Sequence, residues 1–230
     1  VSAHSIRRLE SLNNRYSEGV PMSAMNDTSM NTNMHAAFKR EIRRIQSGLA
    51  KADLASSSAR ANLVRRYDFF SETLHHHHEG EDTYLFERVK PKADPSEVAI
   101  LDQMEAEHGE LLEILTTVDT GFKTLSDATD KVVLNDQLEA LFTVLSQHCE
   151  HEETQGIQVV QRYITQEDMK EFMKFNREGE HANLVLPWIC DGAQPAVSSQ
   201  VWGMIPGPVR LFLKPTMTRK YDAFSKECGI

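Results

Sequence analysis

Cysteine is scarce in this chain: Cys149, Cys190 and Cys228 are the only three in 230 residues. Three thiols cannot staple a chain of this length, so a disulfide scaffold is excluded and a reducing compartment is expected. Basic side chains are in deficit, 25 Lys and Arg against 34 Asp and Glu, which leaves a formal charge of −9. A nucleic-acid binder needs a clustered basic footprint, and this balance argues against one. Long apolar runs are missing too. None approaches the roughly 18 residues that span a bilayer. The first 30 residues contain Arg7, Arg8, Glu10 and Arg15 but no apolar core of a secretory signal. Cytoplasmic residence is therefore the expectation. Period-two alternation is absent and β-branched runs are short, so no sheet is expected.

Histidine, by contrast, is abundant. There are ten: His4, His35, His75, His76, His77, His78, His108, His148, His151 and His181. Eight of these lie between positions 35 and 151, and that concentration asks for an explanation.

Turn residues divide the chain. Residues 1–27 are polar and interrupted at Asn13-Asn14, Glu18-Gly19 and Pro21, which predicts a loose arm with one short helix near 3–17. Four long stretches follow, nearly free of internal Pro and Gly. They are separated at Ala52 to Ser58, Pro91 to Pro95 and Ser126 to Asp130. Beyond 178, Pro187, Pro195, Pro206, Pro208 and Pro215 predict a series of short pieces. The expected organisation is an arm (1–27), a helical bundle (28–165) and a C-terminal extension of short helices packed on it (166–230).

Each long stretch carries an apolar stripe at alternating steps of three and four, the seam of a core-facing helix. The first reads His35, Phe38, Ile42, Ile45, Leu49. The second reads Leu63, Tyr67, Phe70, Leu74, His77, Glu81, Tyr84. The third reads Leu101, Met104, His108, Leu111, Leu115, Val118, Phe122, Leu125. The fourth reads Leu134, Leu138, Leu141, Leu145, His148, Glu152. Histidines and glutamates continue the leucine seams, so they point inward. Four long helices with short loops predict an all-α, up-down-up-down four-helix bundle.

Arm lengths test whether the inward polar groups meet. His35 lies 21 residues before position 56, the middle of the first loop, and His77 lies 21 after it. His108 and His148 each lie 20 residues from position 128. Glu81 lies 12 before position 93 and His108 lies 15 after it. At about 1.5 Å per residue the largest imbalance is under one helical turn. All four helices therefore deliver polar groups at one level.

That layer contains His35, His77, Glu81, His108, His148 and Glu152. Buried carboxylates are costly unless paired or bound to a metal. The bland alternative, a layer of histidines hydrogen-bonded to glutamates, requires the same coincidence on every helix. Nitrogen and carboxylate donors without cysteine suit iron, zinc or manganese. Two glutamates, each four residues after a histidine and so on its face, could bridge two metals.

These motifs resemble the hemerythrin-like (HHE cation-binding) family. The carriers are Met34-His35, the run Leu74 to Asp82, Glu105-Ala106-Glu107-His108 and His148 to Glu153, in the order H, HxxxE, H, HxxxE. The resemblance spans roughly 28–165. It implies a non-heme centre of two irons, with zinc or manganese as lesser candidates. By resemblance, His35 and His77 serve one iron, His108 and His148 the other, and Glu81 and Glu152 bridge. Oxygen-carrying members have a second histidine on the third helix, one turn on; here that position is Leu112. One iron is then expected to have fewer protein nitrogens, with Tyr84 as a candidate extra ligand. That favours reaction with small oxidants, hydrogen peroxide first (a catalase- or peroxidase-like activity) or dioxygen. The alternatives are reversible binding, storage or sensing of dioxygen or nitric oxide, and an iron- or zinc-binding regulator.

His75, His76 and His78 flank the seam and are expected to be mostly solvated, one of them supporting a ligand. Glu79, Asp82, His151 and Glu153 are register alternatives to the named ligands, and Cys149 reads as a small packing residue. The tail contains Trp188 and Trp202, and its last thirty residues carry five basic and two acidic groups. Its packing on the bundle is the leading expectation, ahead of docking to a membrane or a protein. No nucleic-acid partner is expected, and the oligomeric state is open.

Overall fold

The computed structural model describes residues 29–205 and 207–229. The arm at 1–27 and the short helix expected near 3–17 lie outside the described residues. Among the described residues every regular element is helical. The four long helices are α1 (Ser29–Lys51), α2 (Ser57–Gly80), α3 (Pro95–Lys123) and α4 (Lys131–His151).

Their ends sit where the turn residues stand. The Ser56 hydroxyl accepts from the Ala59 amide at the start of α2. Asp94 and Glu97 form a reciprocal capping box ahead of Pro95, which suits the first turn because it has no N–H to satisfy. The Asp130 carboxylate accepts from the amides of Val132 and Val133 at the start of α4.

α1 packs on α2, α2 on α3, α3 on α4 and α4 on α1, so the four close a ring around their apolar stripes. Nearly every seam residue named above is buried, from Phe38 through Leu145. The exceptions are Tyr84 and Leu125, which are half-buried.

Two helices change pitch. α2 runs on into a π-helical turn, Glu81–Phe86, before Glu87–Val89 and a 3-10 turn at Lys90–Lys92. α4 runs on into a π-helical turn, Glu152–Gly156, before Ile157–Tyr163. Both turns begin at the glutamate of an HxxxE pair. They also divide the core. One apolar cluster gathers Phe38, Phe70, Leu74, Leu111, Leu115, Leu141 and Leu145. A smaller one gathers Leu85, Phe86, Val89, Leu101, Met104, Val159 and Val160. In each long helix the inward polar residues fall at the junction.

The extension comprises α5 (Gln166–Glu178), α6 (Ala182–Cys190), α7 (Pro195–Gly203) and α8 (Gly207–Cys228). It packs on the long helices through α6 against α1, α8 against α2, and α5 against α2 and its π-helical turn. Two of its prolines do not break it as expected: Pro187 lies inside α6 and Pro215 inside α8. An interior proline frees the carbonyl four residues earlier. Here those belong to Asn183 and Leu211, both exposed, where water can satisfy them. Among the described residues no helix is long and apolar enough to cross a membrane.

A buried ion pair ties the extension to the long helices. Glu41 of α1 and Arg66 of α2 are both fully buried and hydrogen-bonded through two contacts. The Trp188 indole of α6 donates to Glu41 at 2.9 Å, and the Tyr221 hydroxyl of α8 accepts from Arg66 at 3.1 Å. Removing one partner leaves the other charge buried and uncompensated, at a cost of about 3–5 kcal/mol. Glu41→Ala should therefore lower the urea midpoint strongly, and Glu41→Met with Arg66→Met should recover much of the loss. A single variant as stable as the parent would contradict the pairing.

Candidate metal centre

The inward polar residues converge. The rings of His35 and His77 lie 5.4 Å apart between centroids, those of His35 and His148 6.5 Å, and those of His108 and His148 4.7 Å. His35, His77, Glu81, His108, His148 and Glu152 are all buried. The structure brings these six predicted residues together and adds a seventh, His78, which is also buried. The ring of His78 stacks on that of His108 at 4.1 Å.

Two triads result, each with donor atoms within 4.8 Å of one another: His35, His77 and Glu81, and His78, His108 and His148. The glutamates stand between them. Glu81 places Oε1 3.3 Å from His77 Nε2 and Oε2 3.8 Å from His108 Nε2. Glu152 Oε2 lies 2.9 Å from His35 Nε2 and 3.9 Å from His148 Nε2. Each carboxylate thus reaches one histidine of either triad.

The donor set fits a cation because its inner atoms are close but not satisfied by one another. His35 Nε2, His77 Nε2, His78 Nε2, both oxygens of Glu81 and Glu152 Oε2 are buried without a hydrogen-bond partner. His35 Nε2 and Glu152 Oε2 face each other at 2.9 Å as an ion pair. Buried polar groups are ordinarily bonded, so six such atoms in one place mark a site built for something else. His108 and His148 add a second test. Their Nδ1 atoms lie 2.7 Å from Asp82 Oδ1 and 3.1 Å from Glu107 Oε2. A carboxylate only accepts, so each Nδ1 carries a proton, and where the ring is neutral its Nε2 turns a lone pair inward. These two Nε2 atoms face each other at 3.2 Å. Two lone pairs at that distance repel unless a positive charge lies between them.

Protonation follows the same logic. Burial, then neighbouring histidines, holds His77 and His78 well below the ordinary histidine range, and His148 down to about 4. These imidazoles are neutral, the form that binds metal. Burial and the nearby Glu152 push Glu81 well above the usual carboxylate range. Burial alone would lower His35, but the Glu152 carboxylate outweighs it and raises it well above the ordinary value. The centre draws in positive charge.

A ring of outer carboxylates fixes the imidazoles. Asp82 holds His108, Glu153 holds His35 Nδ1 at 2.9 Å, and Glu107 holds both His148 and His151. Asn31, one turn before His35, donates to Glu152 Oε1 at 2.8 Å. Asp82 and Glu153, read from sequence as stand-ins for the ligands, instead hydrogen-bond a histidine of a different helix. The recurring doublets Glu81-Asp82 and Glu152-Glu153 are the signal: the first member points in and the second braces a neighbour.

The other expectations divide. Tyr84 is half-buried beside Phe175 of α5, ring centroids 4.9 Å apart. The π-helical turn breaks the step of three from Glu81, so Leu85 and Phe86 take the buried positions. His75 is exposed, and His76 stacks on Phe175 at 4.1 Å. His181 pairs with Glu72 at 2.6 Å. Cys149 is fully buried, as a packing residue would be. The expected shortage of nitrogens from Leu112 also needs revision. Leu112 is 50% exposed, and an additional buried imidazole, His78 on α2, lies against His108 instead.

Among the described residues the fold is all-helical, and its buried histidine and glutamate clusters could hold a cation. Residues 28–156, more than half of the chain, match the family described as Hemerythrin HHE cation binding domain. The chain belongs to the hemerythrin family. No curated protein and no solved structure matches it.

The outer carboxylates orient the imidazoles, so their loss is expected to show first in metal affinity. Asp82→Asn and Glu107→Gln should each weaken metal binding about 10- to 100-fold in chelator competition, with helical content unchanged. Affinity equal to the parent's in both would remove the bracing role.

Proposed function

We propose that this chain is a non-heme di-iron protein that reacts with a small oxygen species, hydrogen peroxide or dioxygen. The observation that carries this reading is the pair of triads with Glu81 and Glu152 reaching across both. One cation would be held by His35 and His77, the other by His78, His108 and His148, with both glutamates shared. The closed ring of α1 to α4 and its short loops support an up-down-up-down bundle as the frame.

The two positions would be unequal, which favours one of them as the reactive side. Three imidazoles would serve one and two the other, so a small ligand would enter beside His35 and His77. Phe38 packs on the His77 ring at 5.3 Å and narrows that side to small molecules. Iron, when bound, would supply redox change and exchangeable coordination positions. The chain's own residues keep His77, His78 and His148 neutral, orient the imidazoles through Asp82, Glu107 and Glu153, and exclude bulk water with the flanking apolar clusters. With His78 in place, the deficit of nitrogens that singled out peroxide is smaller, so peroxide turnover and reversible dioxygen binding are separated by assay.

Purified protein should contain about two irons per chain, the stoichiometry of a doubly bridged carboxylate pair. Added hydrogen peroxide should release dioxygen; a reversible dioxygen spectrum without turnover would assign the binding reading instead. Zinc alone would overturn both. His78→Ala should lower iron content toward one per chain, whereas Leu112→Ala should leave it unchanged.

A further inference from the structure

The first half of α8 is exposed in a way its composition does not suit. From Gly207 to Thr216 every residue is exposed except the half-buried Arg210. Yet Leu211 is 70% exposed, Phe212 73%, Val209 48% and Leu213 41%, with Met204 just before them at 39%. Of the eight large hydrophobic residues exposed among the described residues, five fall within these ten positions, 204–213. They are not confined to one stripe: Val209, Phe212 and Leu213 share a face and Leu211 lies off it. A helix apolar on more than one face is normally covered. The second half of α8 is anchored, with Met217, Tyr221 and Cys228 buried and Tyr221 in the Glu41–Arg66 network.

The charge of the surrounding segment bears on what would cover it. From Gly192 to Tyr221 there is no Asp or Glu, while Arg210, Lys214, Arg219 and Lys220 are present. The chain carries 34 acids in 230 residues, one in about seven, so thirty residues would ordinarily hold about four. Arg210 donates to the Trp202 carbonyl at 3.2 Å and the Lys214 ammonium lies 5.5 Å from the Trp202 ring, which holds both cations at the base of the apolar projection.

We propose that this projection, residues 207–216 with Met204 at its root and Arg219 and Lys220 beyond its end, docks onto an anionic lipid surface. Leu211, Phe212 and Leu213 would enter the headgroup–acyl boundary while Arg210, Lys214, Arg219 and Lys220 meet the phosphates, so that apolar burial and charge attraction both contribute. The exposed half of α8 is about 15 Å long at 1.5 Å per residue, enough to lie in an interface and too short to cross. Two copies of the same patch would set like charges against each other, which disfavours symmetric self-association through it. Docking through this projection does not depend on which metal the chain binds.

Vesicle flotation of the full chain tests it. Binding is expected to vesicles of phosphatidylcholine with about 30% phosphatidylglycerol, not to phosphatidylcholine alone. It should be released by about 0.5 M salt, which screens the attraction. Leu211→Glu with Phe212→Glu should reduce binding at least tenfold with an unchanged melting temperature, since neither side chain is buried. Lys214→Gln with Lys220→Gln should weaken it and flatten its salt dependence. No binding to anionic vesicles, or equal binding to neutral ones, overturns the proposal. So does a concentration-dependent oligomer abolished by Phe212→Glu, which would assign the patch to a second copy.

Discussion

Two carboxylates, Glu81 and Glu152, are buried side by side among imidazoles, and everything around them is arranged to make that tolerable. Charged groups in an apolar interior need a compensating charge or a full set of hydrogen bonds. Neither oxygen of Glu81 has a partner, and only the outer oxygen of Glu152 does, from Asn31. Of the imidazoles only His35, raised by the adjacent Glu152, offers positive charge; His77, His78 and His148 are held neutral and leave Glu81 without a donor. A cation satisfies carboxylates and lone pairs at once. Metal binding and folding are therefore coupled: the free energy of the bound cation offsets the cost of assembling this layer inside a helical core.

The π-helical turns are how the backbone delivers it. In a regular helix the residue after a buried glutamate turns away from the core. Where α2 and α4 widen at Glu81 and Glu152, the next residue, Asp82 or Glu153, reaches a histidine on another helix. Each doublet thus supplies an inner donor and an outer brace. Wide turns of this kind cost regular hydrogen bonding and tend to persist where function needs them. Here they also let a second apolar cluster, around Phe86, Met104 and Val160, close the far side of the centre.

Much of this is legible in the sequence. The three-and-four steps identify the core seams, and equal arm lengths about the loops bring His35, His77, Glu81, His108, His148 and Glu152 to one level. What escapes has physical causes. His78 follows a seam residue directly, and periodicity alone assigns such a position to a flank; its burial depends on how α2 meets α3. Tyr84 departs from its expected place because a π-helical turn carries no single-residue signature and shifts every later position on its helix. Glu107 lies one residue before His108 and reaches across to His148 and His151 of α4, a contact visible only once the helices are paired. Pro215 reads as a breaker until the exposure of Leu211 shows that water can satisfy the freed carbonyl.

The extension is part of the same molecule rather than an appendage. Trp188 and Tyr221 complete the network of Glu41 and Arg66, on α1 and α2, the helices that carry His35, His77 and His78. The central claim is that two irons sit in this interior, one beside His35 and His77 and one beside His78, His108 and His148. Anomalous diffraction from crystals of the purified protein at the iron edge tests it most directly. Two peaks, one in each triad with Glu81 and Glu152 between them, are predicted. A single peak, a peak at the zinc edge alone, or His78 turned away from the metal would contradict it.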